Sequence, residues 1–253
     1  MTAPGADAAP RGTDRDTNTA PGTAAGTAAG TAPGASGVPG GRRGGAAAPL
    51  LIAFALACLL DLLSLLAGWH TGHLVAKPLL MPLLAGHVYA RGGPRPLVAA
   101  LLCGWGGDVF LLSGADAAFL LGMGCFAAGH VCYLVLFGRG RTHPALGAAY
   151  GIALVATVAA LWTDLPAGLR IPVAGYSLLL TTMACRSSRL GPLVGLGGAL
   201  FLLSDTLIAT GVADWPQLPR PDFWIMLTYV GAQALLAQAY REESRTTRTP
   251  RTI

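Results

Sequence analysis

From residue 46 onward the chain alternates between long apolar runs and short polar breaks. Eight apolar runs stand out, at residues 48–68, 74–90, 96–113, 117–137, 144–162, 169–186, 190–211 and 222–240. A helix crosses a membrane with about 20 apolar residues, each rising about 1.5 Å. The pattern therefore predicts an all-α fold, a polytopic membrane protein of about eight transmembrane helices spanning residues 46–240. The second and third runs are short. Pro78 and Pro82 in the second, and GWGGD at 104–108 in the third, predict interruptions there. The polar links are mostly short, so consecutive helices are expected to run antiparallel.

The segment before the first run is different in kind. Residues 1–45 contain TAAGTAAGTAPGASG and almost nothing large and apolar. Such a segment cannot bury enough surface to offset its chain entropy, and it reads as a disordered tail. It lacks the apolar stretch after a basic start that marks a signal peptide. Residues 241–253 form a second, basic tail.

Arginine placement orients the spans. Arg42, Arg43, Arg91, Arg95, Arg139, Arg141, Arg186, Arg189, Arg241, Arg245, Arg248 and Arg251 all fall on one side. The other side has Arg170 and Arg220 and collects Asp116, Asp164, Asp214 and Asp222. Twelve arginines against two predict that both termini are cytoplasmic. The same asymmetry explains the basic pI of about 9.2, so no nucleic-acid partner is needed.

Composition agrees. Charged residues make up 11% of the chain, mean hydropathy is +0.55, and soluble domains carry about 25% charged residues. An integral, multi-pass protein of a bacterial-type plasma membrane is the expectation. The five cysteines all lie inside apolar runs, which argues against a disulfide framework. Cys125, His130 and Cys132 do not share one helical face, so no metal site is expected, and no cofactor motif is present. The glycines of GMG (122–124), of GLGG (195–198), and at 104, 106, 107, 129, 147 and 151 read as surfaces where helix backbones approach closely.

Four ionisable residues remain inside the apolar runs: Asp61, Lys77, Asp108 and Asp205. Each costs about 3 kcal/mol near the membrane centre unless it is paired or hydrated. Lys77 is the only lysine in the chain, in LVAKPLLMPLLAGH (74–87). Counting helical rise from the outer ends places Asp61 roughly 10 Å deep, Lys77 roughly 5 Å, Asp108 roughly 8 Å and Asp205 roughly 9 Å. Tyr176 and Tyr229 fall in the same layer, and Gln233 lies one turn deeper on the face of Tyr229. Lys77 is thus expected among three carboxylates. Snorkelling to the interface is the plain alternative for it. The same count places His130 roughly 20 Å deep, below the layer, with Tyr133 on its face. His87, near the inner end of its run, reads as structural.

KPLLMPLL (77–84), GDVFLL (107–112), GCFAAGHVCYLVLF (124–137), LFLLSDTLIA (200–209) and YVGAQALL (229–236) together resemble the YhhN-like lysoplasmalogenases, a family of eight-span membrane proteins. The resemblance covers nearly the whole apolar region and leaves out residues 1–45. It implies an ether hydrolase that cleaves the vinyl ether of lysoplasmalogens to a fatty aldehyde and a glycerophospho-headgroup. The partners it implies are a lysophospholipid substrate and membrane lipid. The family's motif acids fall on Asp108 and Asp205. Lys77, His130, Ser204, Tyr229 and Gln233 fall on other motif positions, and Asp61 falls on none.

The residues suit that chemistry. Vinyl ether hydrolysis begins with proton delivery to carbon and passes through an oxocarbenium ion, which glycosidases manage with two carboxylates. One aspartate serves as acid and the other as stabiliser or base, with Lys77 tuning one of them or binding phosphate. Two rivals stand beside this. Ser204 with His130 suggests a serine hydrolase, though no GxSxG elbow is present. The intramembrane charges and interrupted second and third runs suggest a proton-coupled small-molecule transporter.

Overall fold

The computed structural model describes residues 45–246, with side chains through 238. The predicted tail before residue 45 and the last seven residues, 247–253, lie outside the described residues. All regular structure among the described residues is helical: α1 (Ala47–Ala67), α2 (His70–Ala90), α3 (Arg95–Leu111), α4 (Asp116–Phe137), α5 (Pro144–Leu161), α6 (Ala167–Ser187), α7 (Pro192–Val212) and α8 (Pro221–Thr246). A 3₁₀ turn, Ser188–Leu190, joins α6 to α7.

The helix boundaries follow local chemistry. Proline occupies the first or second position of α3, α5 and α7, where its missing N–H is an orphan anyway. Gly68 ends α1 at φ 71°, a left-handed conformation that glycine adopts without steric cost. Arg186 and Arg189 donate to the carbonyls of Gly138 (2.9 Å) and Phe137 (2.6 Å), satisfying the orphan acceptors at the end of α4.

Consecutive helices pack side by side, except around α5. Seven helices close a ring: α1 on α2, α2 on α3, α3 on α4, α4 on α6, α6 on α7, α7 on α8, and α8 back on α1. Helix α5 leans on α6 and buries only Leu161. Its Ile152 is 71% exposed, and Ile171 on α6 is 73% exposed. An apolar surface of this kind has lipid as its solvent. Helices α1, α4, α5 and α7 are each long and apolar enough to cross a membrane. The protein is a helical integral membrane protein.

The expected interruptions are absent. Helix α2 runs unbroken through Pro78 and Pro82, and GWGGD lies inside continuous α3. Each proline removes one backbone donor, a loss that a helix in a bundle tolerates when neighbours support it. Here α1 and α3 flank α2, and Leu80, Met81 and Leu84 are fully buried.

The glycine reading holds where backbones meet. A Cβ on Gly129 would lie 3.2 Å from the Ala100 carbonyl oxygen, and one on Gly122 3.2 Å from that of Gly107. These contacts set the close approach of α3 and α4. The GLGG stretch does the same for α7: a Cβ on Gly198 would sit 2.9 Å from Ala184 Cα, and one on Gly197 3.2 Å from the Ala232 oxygen. Gly124, Gly147 and Gly151 have nothing within 4 Å and are not packing sites.

Candidate active site

Two carboxylates, each on its own tyrosine, form the polar centre of the bundle. Asp108 on α3 is 2% exposed. Its Oδ2 accepts the Tyr229 hydroxyl at 2.8 Å, and its Oδ1 lies 4.0 Å from Lys77 Nζ. Tyr229 is fixed in turn by Gln233, whose Nε2 lies 3.4 Å from the Tyr229 oxygen and whose Oε1 accepts the Tyr133 hydroxyl at 2.5 Å. Tyr133, Gln233, Tyr229 and Asp108 thus form one chain from α4 through α8 to α3. Gly104 leaves room for it: a Cβ there would lie 3.0 Å from Tyr229 Oη and 3.1 Å from Gln233 Nε2.

Asp205 on α7 has a different setting. Its Oδ2 accepts the Tyr176 hydroxyl, and Tyr176 Oη lies 3.0 Å from His130 Nε2. With Tyr176 donating to Asp205, His130 carries its hydrogen on Nε2 and donates to Oη. His130 is buried, and its Nδ1 has no partner among the described residues. No cation is paired with Asp205 among the described residues. The carboxylate is half-buried and lines a groove with about 810 Å³ of empty space between α4, α5, α6 and α7. The rest of that lining is mostly apolar, including Phe119, Met123, Leu161 and Val173, with Arg170 also on it.

An aromatic wall joins the two halves. Phe126 and Phe201 pack edge-on against Tyr229 with centroids 5.9 and 5.5 Å away, and Phe201 meets His130 at 4.8 Å. Phe201 thus touches both the tyrosine that holds Asp108 and the histidine behind Tyr176.

The structure brings together Lys77, Asp108, Tyr229, Gln233 and Tyr133 on one side, and Asp205, Tyr176 and His130 on the other. His130, counted below the polar layer, still reaches Tyr176. Helical rise locates a Cα only, and a tyrosine side chain reaches about a further helix turn. Two expected members stand apart. Asp61 is fully buried and pairs with His73 Nδ1 at 2.8 Å, with Oδ2 left unpartnered. Ser204 is buried and donates to the Ile225 carbonyl at 3.1 Å, pinning α7 to α8. That hydroxyl is not on His130, so the serine–histidine pairing is not formed. His87 bonds the Ala47 carbonyl at 2.7 Å, a structural tie between α2 and α1.

Sequence reasoning missed His73, Phe126 and Phe201. His73 was detectable: it lies four residues before Lys77, on the same helical face and directed toward the charged layer. The two phenylalanines carry no signal that separates them from ordinary core.

Residues 72–240 match the YhhN family. The chain belongs to the YhhN family. Among similar curated proteins is rat lysoplasmalogenase TMEM86B, 32% identical over 75% of this chain and 81% of the rat protein. The pig protein of that name is 36% identical over 62% of this chain and 71% of its own length. The human one is 33% identical over 67% and 74%. No solved structure matches the chain. The YhhN match begins inside α2 and ends inside α8, so it contains every residue of both acid–tyrosine pairs and omits α1 with Asp61.

Proposed function

We propose that this YhhN-family protein is a membrane-embedded hydrolase that cleaves the vinyl ether bond of lysoplasmalogen-like lysophospholipids. Its products are a fatty aldehyde and a glycerophospho-headgroup. The observation that carries the reading is the unequal pair of carboxylates: Asp108 beside the one lysine, and Asp205 on a mostly apolar groove and paired with no cation among the described residues. The names of the relatives support the same substrate class. All eight helices are taken as spans, with both termini cytoplasmic in a plasma membrane. The arginine asymmetry supports that orientation.

The two settings divide the chemistry. Lys77 favours the charged form of Asp108, and opposite charges a few ångströms apart in a low-dielectric interior attract strongly. Asp205, in less polar surroundings, holds the proton. Tyr176 anchors Oδ2 of Asp205 and leaves its other oxygen for the substrate. Asp205 donates its proton to the β-carbon of the vinyl ether, and the ether oxygen lone pair forms the oxocarbenium ion. Asp108 takes a proton from the water that attacks this cation. The hemiacetal then collapses. Its hydroxyl proton passes to Asp205, Asp108 returns its proton to the departing glycerol oxygen, and both groups regain their starting states. Water is consumed and no external acid is required.

Purified protein in detergent, given a lysoplasmenyl lipid, is expected to release aldehyde, while Asp108→Asn and Asp205→Asn release none. Full activity in both variants would sink the mechanism. The transporter reading loses the interrupted helices that motivated it, since α2 and α3 are continuous.

A further inference from the structure

A second cavity, with about 1080 Å³ of empty space including its open mouth, lies where the ends of α1, α2, α3 and α8 meet. Two cations line it: Lys77, with a side chain only 12% exposed, and Arg220, beside His70 and His73. Asp222 is the one acid among its lining residues. Arg220 is exposed and makes no side-chain hydrogen bond or ion pair among the described residues. Its backbone is held at φ 57°, uncommon for a residue with a side chain. A Cβ at Gly68 would come within 3.1 Å of Arg220 Nη1, so the glycine at the end of α1 makes room for the guanidinium.

Backbone donors add to the charge. Helix α2 starts at this cavity, and its N-cap, Trp69, supplies no side-chain hydrogen bond. Its first N–H groups are therefore orphans, carrying the positive end of the helix dipole. Helix α8 also begins here, at Pro221. Arginine matches phosphate geometry through paired N–H donors, and lysine serves as a point charge.

We infer that this vestibule is a phosphate site that takes the phosphodiester of the lysolipid headgroup. The inference rests on the hydrolase reading for the identity of the lipid. Two observations favour a lipid source. Leu111 lines both the cationic vestibule and the apolar groove that holds Asp205, so the two cavities share one wall. Lys77 reaches from the vestibule to within 4.0 Å of Asp108. A lysolipid with its phosphate on Arg220 and Lys77 and its chain in the groove passes over Leu111. Only the three-carbon glycerol separates phosphate from ether, so the scissile bond falls between the two carboxylates. Asp222 is placed for the headgroup ammonium.

The test uses a saturated 1-O-alkyl lysophosphocholine, which has no vinyl ether to cleave, beside 1-O-alkylglycerol, which has no phosphate. Binding to the full-length protein is read by native mass spectrometry. The wild type is expected to hold the phospholipid about 10-fold or more tighter than the alkylglycerol. Arg220→Gln is expected to remove that preference and leave alkylglycerol binding unchanged, which also reports that the variant is folded. A preference that survives Arg220→Gln overturns the site. Inorganic phosphate that binds as tightly as the lipid, with the same dependence on Arg220, overturns the headgroup assignment in favour of a free-phosphate site. Because neither lipid is hydrolysed, an Arg220-dependent preference in a protein that releases no aldehyde from alkenyl lipid keeps the vestibule and removes only the reaction.

Discussion

Gly107 offers a test of how tightly the aromatic wall holds the site. It lies directly before Asp108, and a Cβ at that position would fall 2.5, 2.6 and 2.8 Å from three carbons of the Phe126 ring. Carbon–carbon contacts are comfortable at about 3.5 Å, so Gly107→Ala must push the ring back by about 1 Å. Phe126 packs edge-on against both Phe201 and Tyr229, so the ring cannot retreat without moving them. Overpacking of this kind costs about 1–3 kcal/mol of stability. A displacement of about 1 Å at a reacting group can cost about 100-fold in rate. Gly124→Ala is the control, one helix over with nothing within 4 Å. There alanine should stabilise by about 0.5–1 kcal/mol through reduced chain entropy. Thermal melting in detergent and aldehyde release from a lysoplasmenyl lipid measure both effects. Gly107→Ala melting and turning over like Gly124→Ala would refute the claim that Phe126 is wedged between α3 and the site.

Other outcomes follow from the same contacts. Ser204→Ala should keep turnover within a few-fold, because its hydroxyl serves the Ile225 carbonyl; inactivation of a folded Ser204→Ala would revive the serine mechanism. Gln233→Leu leaves the buried Tyr133 hydroxyl without its acceptor, which should destabilise by about 1–3 kcal/mol and lower kcat by loosening Tyr229. Tyr176→Phe removes the donor on Asp205 and should lower kcat far more than it raises KM; an unchanged kcat would remove Tyr176 from the account. Asp61→Asn should shift the melting temperature and leave kcat within a few-fold, since the Asp61 carboxylate pairs with His73 rather than with either tyrosine.

Much of this architecture was legible because charge inside an apolar run has few causes. Lys77, Asp108 and Asp205 stand out for that reason, and counting helical rise put Tyr176 and Tyr229 at their level. Pairing was not legible. Depth along a helix says nothing about rotation between helices, so the division into Lys77–Asp108–Tyr229 and Asp205–Tyr176–His130 needed the packed bundle. Asp61 carries the same intramembrane-charge signal as the other acids and instead pairs with His73, four residues before Lys77 on the same helical face. Arg220 was counted only as a loop charge, and its position at the vestibule comes from the folding of α8 against α1 and α2. The interruptions expected at Pro78, Pro82 and GWGGD failed because flanking helices support a proline or glycine that would break an isolated one. Helix α5 carries no Asp, Glu, Lys, Arg or His, which fits its place outside the ring.

The most direct measurement is turnover of a lysoplasmenyl lipid in D₂O, with the aldehyde analysed by mass spectrometry for the wild type, Asp108→Asn and Asp205→Asn. Protonation at carbon by an exchangeable acid predicts aldehyde carrying one deuterium on the carbon next to the carbonyl, and no product from either variant at an unchanged melting temperature. Folded wild-type protein that releases no aldehyde, or variants that release it at the wild-type rate, would contradict the account.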